Sequence, residues 1–297
     1  MPAHVDGGDV EQRILEASAV VPPQGAVTGW AALRWLGARW LSGRDRSGAR
    51  QPVPILISTH NIRPQHGILP CGEGCSPEVI EVVDGVRVTN ALWSASFAMR
   101  YADTLGDAVI ALSMAAYADL VSVAEATAMI GAQSSWTGVP QARKALPCVG
   151  ENAWSPMEAD SKLLCEIAGY GPLLQNRPVF DLAGRHVGTP DLIDPAAGVV
   201  IEYNGSDHLE PGQYLVDVRR DARFRDHYLE AVVRSAGDRR DHFLTRVEAA
   251  YRRAGRRRTP RTWTIEPPPG WISTDTVAAR RALSPEDRAR LLGYRHR

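Results

Sequence analysis

The sequence predicts a mixed α/β (α+β) protein: a helical, winged-helix-like N-terminal domain followed by an αβββα unit. Three observations lead there. The chain has 297 residues, more than one modest hydrophobic core usually organises. Short β-branched runs separated by turn residues are flanked by helical patterns in the second half. Two Ser-x-x-Glu boxes, at Ser122 and Ser155, mark helix starts on either side of a stretch from Pro147 to Trp154 that reads as a linker. The boundaries expected are 1–150, 151–262 and a C-terminal extension, 263–297.

In chain order, Glu11 to Val20 reads as a helix ended by Val21-Pro22-Pro23, and Thr28 is placed to cap a second helix over Gly29 to Gly37. Val53 to Ser58 and Val79 to Val88 are strand-like, the latter folded at Asp84-Gly85 into a hairpin. Ala91 to Ile130 turns helical, with Val109, Ile110, Leu112, Met114 and Leu120 as a core stripe and a new helix at Ser122-Val123-Ala124-Glu125. Ser155-Pro156-Met157-Glu158 opens the next unit with a serine cap, a proline at the first helical position and a glutamate at the third. That helix should stop at Gly169. Strands are expected over Pro178 to Leu182, Arg185 to Ile193 and Val199 to Tyr203, then helices over about Tyr214 to Ala231 and Asp241 to Ala254. Trp263 to Trp271 reads as an extended segment packing back on a domain, and Ser284 opens a last helix.

The 34 basic and 34 acidic residues cancel, which argues against a uniformly basic nucleic-acid binder, but a sum can hide a local field. Ten arginines lie between Arg234 and Arg261 against Asp238, Asp241 and Glu248. Only Lys144 and Lys162 are lysines, so nearly every cation is a guanidinium suited to bidentate phosphate contacts. A coding bias toward arginine on a solvated helix face explains the same run. No stretch reaches about 18 uninterrupted apolar residues, and the Met1 segment lacks a basic region and an apolar core, so a soluble, cytoplasmic protein without membrane contact is expected. Four cysteines form no disulfide framework, and the Cys71/Cys75 pair has no second pair at zinc-ribbon spacing.

The chemistry concentrates in Gly188-Thr189-Pro190-Asp191-Leu192 and Val199-Val200-Ile201-Glu202-Tyr203-Asn204. The turn at Asp194 to Gly198 folds Asp191 and Glu202 toward one end of a small sheet. Alternation puts Glu202 and Asn204 on one face with Tyr203 opposite. Oxygen donors converging from two strands suit Mg²⁺ or Mn²⁺. Glu202 follows a buried apolar run, where a carboxylate is costly without a ligand.

Residues 155 to about 258 resemble the PD-(D/E)xK nuclease superfamily, in the actinobacterial branch related to very-short-patch repair endonucleases. The matching stretches are S-P-M-E at 155–158, T-P-D-L at 189–192, I-E-Y-N-G at 201–205, His208, and D-V-R-R-D at 217–221. T-G-W-A-A-L-R-W-L-G at 28–37 and G-V-R-V-T-N at 85–90 resemble AbiEi-like antitoxin proteins, less specifically. The resemblance implies a restriction-endonuclease-like core, a metal-dependent DNA endonuclease acting in repair or phage defence, and an unspecified protein partner such as a toxin or repair factor. It implies metal ligation by Asp191, Glu202 and Glu158, catalytic parts for Asn204 and His208, and a supporting part for Gln213. Arg219, Arg220, Arg239, Arg240, Arg256 and Arg257 are the expected DNA contacts. One departure bears on the mechanism. The second position after the glutamate is usually lysine, or aspartate in this branch, whereas here it is Asn204, which offers a carbonyl oxygen but neither a base nor a negative charge. A non-catalytic DNA-binding regulator of antitoxin type is therefore the alternative expectation.

Overall fold

In the first unit, Met1–Glu151, Asp9 caps α1 (Val10–Ser18) by accepting from the backbone N–H groups of Glu11 and Gln12. Ile14 and Ala17 turn inward and share a core with Val27 of β1 (Ala26–Val27), Ala31 and Ala32 of α2 (Gly29–Trp35) and Val53 and Ile55 of β2 (Val53–Leu56). Thr28 precedes α2 as expected, but its hydroxyl makes no cap. It lies 2.8 Å from the Thr89 hydroxyl, which lies 2.7 Å from that of Ser94, so a buried chain of hydroxyls satisfies these groups instead. The computed structural model describes residues 9–63, 65–205 and 223–296.

β3 (Ile68–Cys71), β4 (Ile80–Val83) and β5 (Val86–Thr89) complete a mixed sheet in the order β3-β2-β1-β5-β4. Asp84 and Gly85, both at positive φ, make the tight β4–β5 turn that the sequence marks. Four helices follow: α3 (Ala91–Arg100), α4 (Leu105–Tyr117), α5 (Val123–Ala132) and α6 (Val139–Ala145). Ser122 and Glu125 form the reciprocal capping box at the start of α5. Val109, Leu112 and Met114 of the α4 stripe are buried.

The second unit, Asn152–Arg297, begins with α7 (Pro156–Ile167), whose N-terminus Ser155 caps through the Glu158 N–H. The expected box is only half made. The Glu158 carboxylate accepts from the Trp154 N–H at 2.7 Å rather than from that of Ser155. After α7 come β6 (Leu174–Gln175), β7 (Val179–Asp181), β8 (His186–Gly188), β9 (Leu192–Asp194) and β10 (Val199–Asn204). The single strand expected over Arg185 to Ile193 is therefore two strands in different sheets. Pro190, which has no N–H to give a ladder, stands at the break.

β11 (Glu230–Ser235) corrects a second expectation, since the helix placed over Tyr214 to Ala231 cannot include Glu230 or Ala231. Residues 206–222 of that stretch lie outside the described residues. β11 runs parallel to β10, and β9 and β6 continue antiparallel, giving the order β11-β10-β9-β6. β12 (Trp263–Thr264) joins β7 and β8 in an antiparallel sheet, so the segment after residue 262 belongs to this unit's framework.

α8 (Arg240–Arg256) and α7 cover one face of the four-stranded sheet, packing Phe243, Val247 and Cys165 on Leu192, Val199, Ile201 and Val232. The opposite face carries Ile193 and Val200, which pack with Val179 and Val187 of the three-stranded sheet and with Phe224, Leu229 and Trp263. The result is a layer of helices, a four-stranded sheet and a three-stranded sheet. Two short helices, α9 (Val277–Arg281) and α10 (Pro285–Leu292), close the chain. No helix among the described residues is long and apolar enough to cross a membrane.

Candidate functional site

The β9–β10 hairpin sets the site. Val200 pairs with Ile193 and Ile201 with Leu192, where the ladder ends, and Glu202 and Asp191 are the next residues beyond that last pair. Ile193 and Val200 share the face turned toward the three-stranded sheet. By alternation Glu202 shares that face, one pair nearer the end of the hairpin away from its turn, while Asp191 stands just before β9. Glu202 is 2% exposed, whereas Asp191 is half-buried. The Asp191 side chain is oriented by its own hairpin, since Oδ2 accepts from the Tyr203 N–H at 2.6 Å. Its carbonyl accepts from the Asn176 N–H at 2.9 Å. Asn204 ends β10 with an exposed side chain.

Glu158 reaches the same region from the first turn of α7 and is 6% exposed. Burial, and then the negative charge of Asp191, push its carboxyl up to about 8. Both effects favour the protonated carboxyl. Oε2 already accepts two N–H bonds, from Trp154 and, at 2.6 Å, from the Asn176 amide. A cation near both acids would reverse that preference by favouring the ionised forms.

The sequence reading missed the residue that organises this corner. Asn176 is 2% exposed, sits at φ 46°, and joins Glu158 Oε2 to the Asn152 carbonyl through one amide, at 2.6 and 2.7 Å. The Asn152 amide in turn bonds the carbonyls of Gln175 and Asn176, both at 3.2 Å. Asparagine tolerates left-handed backbone, and Asn176-Arg177-Pro178 has the composition of a turn, the only signal available in advance.

A divalent cation fits the site in donor chemistry. All the donors are oxygens, and Mg²⁺ commonly takes one or two carboxylates and fills its remaining positions with water and substrate phosphate. Asp191 and Glu202 supply that minimum. Among the described residues, no three His, Cys, Asp or Glu side chains come together as a complete metal-binding set. His208 and Gln213 lie outside the described residues, as do Arg219 and Arg220.

The arginine run divides into several environments. Arg234 leaves the surface set: it is 5% exposed, donates to Asp160 at 2.9 Å and Ser161 at 2.8 Å, and lies over the Phe243 ring. Arg239 is exposed and paired with Asp241 at 3.0 Å, while Arg257 shares Glu230 with Arg253. Arg240 and Arg256 are exposed at the two ends of α8. Much of the run is thus internally compensated, which an unpaired count of charges does not reveal. Comparison of the chain with known protein families, with curated proteins and with solved structures finds no match.

Proposed function

We propose that the second unit is a restriction-endonuclease-like core of αβββα type that hydrolyses DNA phosphodiester bonds in the cytoplasm with Mg²⁺ or Mn²⁺. What supports this reading is the hairpin register: Ile201 pairs with Leu192, so Glu202 and Asp191 are the next residues along the two chain segments beyond the last pair. Asp191 and Glu202 would hold the cation, with Glu158 beside Asp191 and the Asn204 carbonyl as a neutral donor at the strand end. When bound, such a cation polarises a phosphodiester and lowers the pKa of bound water. The chain's own part is orientation. The Tyr203 N–H fixes Asp191, Asn176 fixes Glu158, and burial and the charge of Asp191 favour the protonated form of Glu158. Exposed Arg240 and Arg256, with Arg239 and Arg257 beside their carboxylate partners, would contact phosphates.

The test is plasmid cleavage with Mg²⁺ or Mn²⁺, comparing the natural chain with an Asp191→Ala, Glu202→Ala double variant. Metal-dependent nicking that the double variant loses is expected. Equal cleavage by both proteins, or none on supercoiled, linear and single-stranded DNA, overturns the reading. Asn204, which brings no charge to the strand end, favours a second reading, a non-catalytic DNA-binding regulator of antitoxin type. That protein would bind DNA in EDTA with a steep salt dependence, turn over no substrate, and lose binding on deletion of residues 1–90.

A further inference from the structure

At the other end of the β9–β10 hairpin, the Asp194 to Gly198 turn borders a cleft of about 160 Å³, far more than the roughly 10–15 Å³ one water needs. Glu202 lies three residues along β10 from this end, about 10 Å away at the usual rise of a strand, so the cleft is separate from the acid pair. His227, Tyr228, Arg257, Thr259, Arg261 and Trp263 supply its functional groups, and none of its lining residues is acidic. Arg261 lies flat on the Trp263 ring, its guanidinium carbon 3.4 Å from the ring centroid. Among the described residues it has no carboxylate partner. Arg257 is anchored from behind by Glu230 and stands 6.0 Å from the ring of Tyr228. Tyr228 is 45% exposed and held at φ 60°, a backbone state unusual for a bulky side chain. Two guanidinium groups, an imidazole and two hydroxyls, with no acid among the described lining residues, make a donor set for a phosphate dianion or diester.

We propose that this cleft binds the phosphate of a nucleotide or of a DNA strand, with Arg261 and Arg257 as its charged donors and Tyr228 as an aromatic wall beside them. The proposal stands independently of the acid pair and needs no cation. Two sources share that chemistry, a free nucleoside monophosphate and a backbone phosphate. Titration calorimetry in EDTA with dAMP, and fluorescence anisotropy in EDTA with a labelled 20-base-pair duplex, separate them.

Arg261→Gln removes the charge at an exposed position and leaves a shorter, neutral hydrogen-bonding side chain. Circular dichroism checks that the variant keeps its fold. A tenfold or greater loss of dAMP affinity assigns the cleft to free nucleotide. A similar loss on duplex DNA, with the log–log salt slope falling by about one, assigns it to the backbone. Absence of binding to both ligands, or binding to both that Arg261→Gln leaves unchanged, overturns the proposal. The Asp191→Ala, Glu202→Ala variant should bind as the natural chain does, so failure of the cleft and failure of the nuclease reading give different results.

Discussion

Asn176 joins three segments: its side-chain amide bonds the chain before α7 and the first turn of α7, and its backbone N–H bonds the carbonyl of Asp191. Its positive φ adds a second, separable demand. Asn176→Gly loses the two hydrogen bonds but suits the backbone, whereas Asn176→Ala loses the same bonds and also forces an L side chain into the left-handed region. Thermal unfolding should therefore rank the natural chain above Gly and Gly above Ala, with about 2 kcal/mol or more lost in the first step and about 1 kcal/mol more in the second. Equal stability of the two variants would refute the backbone part of the argument. At this scale the sequence was partly legible. The pairing of β9 with β10 could be read because a short turn fixes register, while Asn176 could not, because its partners lie 18 and 24 residues away.

β11 acquires its place in the sheet by pairing with β10 along six residues and by one buried tie to a helix. Arg234 leaves the strand toward α7, where Asp160 and Ser161 receive it, and its guanidinium rests on Phe243 of α8. Removing one partner of such a pair leaves a charge stranded out of water. Arg234→Ala should cost about 3–5 kcal/mol, and the double variant Arg234→Met, Asp160→Leu should recover much of that loss, as denaturant unfolding would show. An Arg234→Ala protein as stable as the natural chain would mean that Asp160 is solvated. The sequence placed Arg234 in a basic run because charge counting sees composition and not burial. It also extended a helix over Glu230 and Ala231, since a short strand with charged ends has too few residues to display its period. Elements with their own local punctuation were legible: the α5 capping box, the Asp84-Gly85 hairpin and the proline-led start of α7.

Each unit has its own apolar core, one around Ile14, Ile55 and Val88 and the other around Ile201, Phe243 and Val247. A chain of residues 152–297 expressed alone should therefore unfold cooperatively by calorimetry. A broad transition without a heat-capacity peak would show that its folding requires the first unit. The strands β1, β3 and β6 were not legible in the sequence, whereas β12 falls in the segment read as extended and packing back on a domain. β1, β6 and β12 are only two residues long, and such strands exist because neighbours offer them an edge. Zero net charge likewise describes the whole chain poorly: acid and base are largely matched within the second unit, and the acid-free cleft is a local exception.

Pro190 gives the architecture a property that no single distance expresses. Between Gly188 and Leu192 the backbone leaves the three-stranded sheet and enters the four-stranded one, so Asp191 occupies the crossing point between layers. A crossing point cannot drift with one layer alone: any slip of either sheet displaces the first acid against the second. Cohesion between the layers and alignment of the acid pair are thus one mechanical quantity, and selection on either acts on both.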